Sequence, residues 1–293
     1  MIIPVLALLG MVACTNENEP EIVIDNNEPV EIKMVASIVD VNAKTKAAIN
    51  PGAALTGVTF LRTDGTAKPD WATVTPTSIP TSIAATSGAI TFEPIQYYSA
   101  DATQNAYFVG YYPSGTLANG VVTFTGMDGS QDIMYAQEVS GNKTNTTLAA
   151  AFVHKLAQLQ FKFKKDATFQ GTDVKVTSII IKGTQLPESL NIKDGTIKYA
   201  TSSTPITAFT GGTYPMDESL VTPANNLVQV GANAIKLDIT LDNGATFNDV
   251  SVTLTTKETT AHVITLTFKQ ASATGNATIG TWASEDAGNT DIQ

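Results

Sequence analysis

Few side chains in this 293-residue sequence are of a type and spacing that could carry chemistry. There are two histidines, His154 and His262, and two histidines can share acid–base work or a metal. Either task needs carboxylates or thiolates at ligand spacing, and neither residue has them nearby in the sequence. Both stand among alternating apolar residues and read as structural. The run Asp128-Gly129-Ser130-Gln131-Asp132 suggests a calcium loop but lacks the further acidic ligands, so it reads as a turn. No Gly-rich phosphate loop, nucleophile elbow or metalloprotease helix is present. Arg62 is the one arginine, and a net charge of −10 with a pI near 4.6 argues against a nucleic-acid partner. No cofactor, no metal and no enzymatic activity are expected. Trp71, Trp282 and the pairs Tyr97-Tyr98 and Tyr111-Tyr112 could form a sugar-stacking surface, although aromatics at strand edges more often pack locally.

The remaining reactive residue is Cys14. It closes an apolar run, Ile2 to Ala13, that ends in small residues and is followed at once by polar ones. The run is too short to cross a bilayer as a helix. It matches the apolar region of a secretory signal, so residues 1–13 are expected to be a signal peptide. Met11-Val12-Ala13-Cys14 looks like a bacterial lipoprotein cleavage box, with Cys14 carrying the lipid that anchors the protein in the outer membrane. The alternative is a buried N-terminal strand with a free thiol. No Lys or Arg precedes the apolar run, which leaves room for a short basic beginning upstream. With its single cysteine used this way, the mature chain has no disulfide and no cysteine-ligated metal. Residues 14–29 are acidic, proline-containing and poor in core formers, the composition of a solvated tether.

The elements behind these residues are strands. Apolar residues make up 43% and charged residues 15%, and Thr, Ser, Asn, Val and Ile are abundant. No helix of ordinary length is legible. Residues 30–41 form the first strand, with Ile32, Met34, Ala36 and Ile38 on one face and Val35, Val39 and Val41 on the other. Two apolar faces predict an interior strand. Lys44 and Lys46 follow it in a polar loop. Strands are also expected at 58–61, 90–92, 107–111, 121–125 and 133–136, with 68–87 read as a Pro/Thr/Ser-rich connection and Arg62 at a strand end. In the second half they are expected at 174–181, 190–192, 197–199, 235–241, 250–254, 262–268 and 277–282. The turns are Asp194-Gly195 and Asp242-Asn243-Gly244, and 211–226 reads as a loop.

Residues 152–163 lie between the halves. Leu159, Phe161 and Phe163 alternate with Gln160, Lys162 and Lys164, which predicts a strand with those three polar residues facing water. Before them Phe152, Val153, His154, Leu156 and Ala157 look buried on both parities, as at a seam between two packed units. The expected organisation is all-β: two tandem, transthyretin-like β-sandwich domains, residues 30–148 and 149–293, after the lipoprotein signal and acidic tether.

The order of these features resembles the fimbrillin family, the pilins of Gram-negative anaerobes. The resemblance rests on the lipoprotein box, the acidic tether and two Thr-rich β domains. It also rests on Phe152-Val153-His154-Lys155-Leu156-Ala157-Gln158-Leu159 and on the closing strands at 262–268 and 277–282. It implies a subunit of cell-surface fimbriae that supports adhesion, exported as a lipoprotein. A trypsin-like protease would cut after the first strand, and a strand of the next pilin subunit would fill the vacated groove. The removable strand is then the one carrying Ile32, Met34, Ala36 and Ile38. The candidate cut sites are Lys46, then Lys44 and Arg62. The donor strand would draw on Ile264, Leu266 and Phe268, or on Ile279 and Trp282. A lipid-anchored protein that binds a glycan or host receptor is the alternative.

Overall fold

The computed structural model describes residues 28–38, 52–269 and the backbone of 277–280, and no helix occurs among them. The first unit contains β1 (Met34–Ile38), β2 (Leu55–Gly65), β3 (Thr77–Ile83), β4 (Ala89–Ile90), β5 (Asn105–Tyr112), β6 (Thr116–Ala118), β7 (Val121–Thr123), β8 (Met134–Gly141) and β9 (Leu148–His154). The second contains β10 (Ala157–Lys165), β11 (Lys175–Lys182), β12 (Pro187–Asn191), β13 (Ile197–Tyr199), β14 (Ile206–Phe209), β15 (Tyr214–Pro215) and β16 (Asp217–Val221). It continues with β17 (Leu227–Val228), β18 (Lys236–Leu241), β19 (Thr246–Ser251), β20 (Ala261–Phe268) and β21 (Ala277–Gly280).

Seven strands of the first unit are hydrogen-bonded in a closed ring, in the order β1-β4-β3-β2-β5-β8-β9. The layers expected as a sandwich are thus joined at both edges, because β1 pairs antiparallel with β4 and parallel with β9. Ring closure removes the free edges that invite pairing with another chain. The inner wall packs around four phenyl rings. Phe60 meets Phe92, Phe108 and Phe152 edge-on at centroid distances of 6.0, 6.4 and 5.8 Å. Small residues make room for the rings. A Cβ added at Gly110 would lie 2.7 Å from Phe152 Cζ and 2.9 Å from Phe60 Cε1, so only glycine fits there.

In the second unit, one sheet has the order β16-β10-β20-β21, with β17 also on β10. The other has the order β14-β11-β18-β19, with β15 also on β11. Leu159, Phe161, Phe163, Ile264, Leu266 and Phe268 from the first sheet pack against Ile179, Ile181, Leu237 and Ile239 from the second. In each unit the first strand runs parallel to a late one: β1 beside β9, and β10 beside β20.

A third core lies between the units. Leu61, Tyr107, Val109, Tyr111, Ile133 and Tyr135 project from the outer faces of β2, β5 and β8 or their flanks, and they pack with Leu190, Ile192 and Leu227 of the second unit. A shared four-stranded sheet, β13-β12-β7-β6, joins a hairpin of each unit through the β7–β12 ladder, where Leu190 stands opposite Val122. β2, β5 and β8 are therefore the doubly buried strands, and β1 is not. Its buried residues alternate with exposed ones, and Val35 is 49% exposed. The expectation of an interior first strand fails because Glu31, Lys33 and Ser37 share that outer face and stay in solvent. Val39 and Val41 lie outside the described residues.

Several boundaries shift. The stretch 152–163 is two strands: β9 ends at His154 and β10 begins at Ala157, so the chain leaves the first ring there rather than at 148–149, where β9 starts. Gln160 is 2% exposed instead of facing water, and Thr222 meets its side chain. Its Nε2 donates to Thr222 Oγ1 at 3.2 Å, and Asn226 Nδ2 donates to Leu159 O at 2.9 Å. The connection read at 68–87 contains β3. Ile79 and Ile83 face the core, and Pro80, which has no N–H to give a ladder, sits on the exposed side. The region read as a loop at 211–226 contributes β15 and β16, while β19 ends before Val252 and β4 before Phe92.

His262 is largely buried on β20 and accepts a hydrogen bond at Nε2 from the Lys257 backbone N–H at 3.1 Å. Burial, reinforced by the nearby Lys257 charge, holds its pKa below the ordinary histidine value. The unfolded chain therefore binds this proton more readily than the folded one. Stability is expected to be unaffected by this group above pH of about 6.5 and to fall as pH drops below that value. Urea denaturation of His262→Gln at about pH 7.5 and about pH 5.5 checks this. An acid-side decline as steep as that of the parent chain would place the titration on another group.

Candidate functional site

The residues expected to act in assembly fall on β1 and its surroundings. Ile32, Met34, Ala36 and Ile38 all point into the first core, at 3%, 3%, 8% and 7% exposure. On one side the strand lies along β9, from Met34 opposite Leu148 to Ile38 opposite Phe152. On its other side three short segments hold it in turn. Residues 96–98 flank its beginning, where Tyr98 N–H donates to Val30 O at 2.9 Å and Ile32 N–H to Gln96 O at 2.8 Å. β4 flanks Met34 and Val35. Gly88 flanks Ala36, whose N–H donates to Gly88 O at 2.7 Å. The slot is thus an apolar, ladder-lined channel that residues 30–38 fill with four inward side chains.

Gly88 was not singled out from the sequence, where it lies between the Pro/Thr/Ser-rich connection at 68–87 and the strand expected at 90–92. Its φ is +66°, and an added Cβ would stand 2.0 Å from Ala36 O. Glycine is required on both counts, since only it takes this φ at no cost and leaves the backbones this close.

Arg62 helps fix the other end of the slot, where residues 96–98 flank the beginning of the strand. It lies within β2, opposite Thr77 on one side and Phe108 on the other, not at a strand end as expected. Its guanidinium donates to Gln96 Oε1 at 2.8 Å, to Tyr97 O at 2.7 Å and to both oxygens of Asp64, and it lies 5.8 Å from the Phe108 ring centroid. With the side chain 12% exposed and both ladder edges occupied, a protease reaches this bond only if the sheet opens.

Cys14, Lys44, Lys46 and Trp282 lie outside the described residues. Of the donor candidates, Ile264, Leu266 and Phe268 form part of the second core, on a strand bonded to β10 on one side and β21 on the other. Giving up β20 would empty that core. β21, which carries Ile279, has β20 as its ladder partner and is the edge of its sheet.

The aromatic surface considered for sugars does not form from the described residues named for it. Trp71, Tyr98 and Tyr111 are buried, Trp71 with its Nε1–H donated to Glu138 Oε2 at 2.7 Å, and among the described residues of that group only Tyr97 is substantially exposed. Burial also raises the pKa of the Tyr98 and Tyr111 hydroxyls.

At the seam the structure brings together two residues that the sequence kept apart. His154 Nδ1 and Asp132 Oδ2 share a hydrogen bond of 2.6 Å, with both side chains almost fully buried. His154 stands opposite Met134 and shares the parity of Phe152, both of the first core, so the pair lies at the end of that core, while Ile133 next to Asp132 belongs to the third. The signal was present in Asp132-Ile133-Met134, a carboxylate entering an apolar strand. His154 O also accepts from Thr259 Oγ1 at 2.9 Å, tying the end of β9 to the second unit. This is a structural pair holding a junction.

Comparison with known proteins agrees with this architecture. No curated protein matches the sequence. Among solved structures, a candidate cell adhesion protein from Bacteroides uniformis superposes with a TM-score of 0.55 at 22% identity, covering 87% of this chain and 99% of its own. One from Bacteroides ovatus gives 0.52 at 14%, covering 88% and 99%. A fimbrial protein from Bacteroides vulgatus gives 0.51 at 15%, covering 86% and 99%. At these identities the likeness concerns the fold. The sequence model of the Fimbrillin-like family matches residues 39–282, most of the chain, and the protein therefore belongs to the Fimbrillin-like family.

Proposed function

We propose that this protein is a structural subunit of cell-surface fimbriae that supports adhesion and assembles by exchanging its first strand. Family membership and a fold shared with a fimbrial protein of Bacteroides vulgatus support the subunit role. The single observation that carries the exchange is the seating of β1. It is the one strand of the first ring whose chain neighbour is a long polar segment with Lys44 and Lys46, and it contributes one buried face to a ring that is otherwise contiguous in sequence from β2 to β9. Cleavage after Lys46 or Lys44 frees residues 30–38. The ring then opens between β9 and β4, and an extended strand from another subunit restores both ladders and fills the four inward positions. Arg62 is the third-ranked cut site because of its place inside β2. The donor is the segment that begins at the β21 edge, since β20 is held by its own core. Export follows from residues 1–13 as a signal and Cys14 as the lipidated anchor in the outer membrane, with residues 14–29 as tether.

Trypsin treatment of the purified chain tests the exchange. The expected result is a cut among residues 39–51 followed by an oligomer ladder, and a Lys44→Ala, Lys46→Ala double variant that stays monomeric. A parent chain that is fully cut among these residues and remains monomeric under all conditions would sink the proposal. For the anchor, Cys14→Ala is expected to abolish incorporation of labelled fatty acid in an expressing Gram-negative host, and continued labelling would refute lipidation at this residue.

A further inference from the structure

We infer that the second unit holds the first one folded while its slot is empty. The biological occasion for an empty slot rests on the strand-exchange reading above, but the device itself is built into the packing. The residues of β5 divide by parity. Ala106 and Phe108 face the ring interior with β1, whereas Tyr107, Val109 and Tyr111 face the third core. β2 and β8 divide in the same way, with Phe60 and Met134 inward and Leu61 and Tyr135 outward. β1 has no such second attachment, because its outer face is exposed. β9 is also half-open, since Ala149 and Ala151 are in solvent. The ring therefore has one wall clamped to the second unit and one wall that is free, and β1 belongs to the free wall.

An isolated barrel that loses a strand loses its ladder closure and part of its only core together. Here the loss removes Ile32, Met34, Ala36 and Ile38 from one face of the remaining sheet and leaves the other face buried. The clamp on that face is polar as well as apolar. Phe124 N–H donates to Glu188 O at 2.9 Å, Ile192 N–H to Gly120 O at 3.0 Å and Leu227 N–H to Gly129 O at 2.9 Å. Tyr135 O–H donates to Ile192 O at 3.0 Å. Each joins the two units, so the second unit serves the open form as a covalently attached scaffold and keeps β2-β5-β8 in place for the incoming strand.

The test uses the full chain and does not depend on a protease. Met34→Asp together with Ile38→Asp puts two carboxylates at inward positions and expels β1, since an unpaired charge does not stay in an apolar core. Hydrogen exchange is then read at the β5 amides. With Leu190 intact, the protection of the Phe108 and Val109 amides is expected to persist. Adding Leu190→Ala, which hollows the third core, is expected to lower it by about tenfold or more, while Leu190→Ala alone with β1 seated retains it. Leu190→Val serves in the same role should the alanine variant fail to fold with β1 in place. Loss of β5 protection on expulsion of β1 alone overturns the inference, and so does unchanged protection when the Leu190 substitution is added. If trypsin yields no ladder but the exchange pattern is as expected, the pilin reading fails and the scaffold stands.

Discussion

Replacement of His154 by alanine is expected to lower stability by about 3–5 kcal/mol, among the largest effects of any single substitution in the chain. Two terms act together. The first is electrostatic and polar: Asp132 loses the ring nitrogen 2.6 Å from its Oδ2 while remaining nearly inaccessible to water. A carboxylate stripped of a buried partner costs far more than the pair contributes when intact. The second is volume, since an imidazole removed from a closed site leaves a cavity. Asp132→Asn, which keeps an acceptor oxygen and gives up the charge, is expected to cost clearly less. Chemical denaturation of the three proteins measures both. A loss below about 1 kcal/mol for His154→Ala would mean that the seam repacks around the change and that the pair does not organise it. The penalty belongs to the end of the first core, where His154 stands opposite Met134; its backbone carbonyl keeps the bond from Thr259 of the second unit in either variant.

Gly88→Ala is expected to cost about 2–4 kcal/mol, combining a left-handed conformation that alanine resists with loss of the hydrogen bond to β1. An alanine Cβ would stand 2.0 Å from Ala36 O, so Gly88 or β1 must retreat. Nothing else in the ring depends on this contact. The effect should therefore concentrate on the first strand: the chain is cut among residues 39–51 at the same rate, and residues 28–38 then dissociate faster than in the parent chain. Mass spectrometry of the released fragment over time reads this. Equal release rates with an equal loss of global stability would show that Gly88 supports the ring as a whole and not the seating of β1. Under strand exchange the same substitution is expected to hinder the incoming strand as well, because that strand meets the same backbone.

How much was legible can be argued from particular residues. Alternation located β20 and the inward set Leu159, Phe161 and Phe163 because a half-buried strand writes its burial directly into the sequence, one residue in two. The same rule found the inward face of β1, and it misjudged the outer face. Val35, Val39 and Val41 looked like a second buried face, yet an isolated valine among Glu31, Lys33 and Ser37 has nothing to pack against. β3 was lost because Thr, Ser and Pro80 match a loop as well as an edge-like strand, and two buried isoleucines four residues apart do not outweigh them. Gln160 looked solvent-facing because parity assigns a side of a strand but does not say what covers that side. Arg62 was placed at a strand end because its neighbours turn polar there, whereas the ladder to β3 reaches Arg62 itself and the ladder to β5 runs on to Gly65.

By itself the sequence determined the all-β class, the hairpins at Asp194-Gly195 and Asp242-Asn243-Gly244, a seam near His154, and the four inward residues of the first strand. Each of these depends on residues close together in the chain: a turn, a parity, a change of pattern. Only the tertiary structure decided that β1 closes a ring against β9, that Asp132 meets His154, that Gly88 sets the width of the slot, and that two hairpins from different units form one sheet over a shared core. Those features join residues tens of positions apart, with no local pattern to mark them. They decide that β1 and β9 are bound by one face and that β2, β5 and β8 are bound by two.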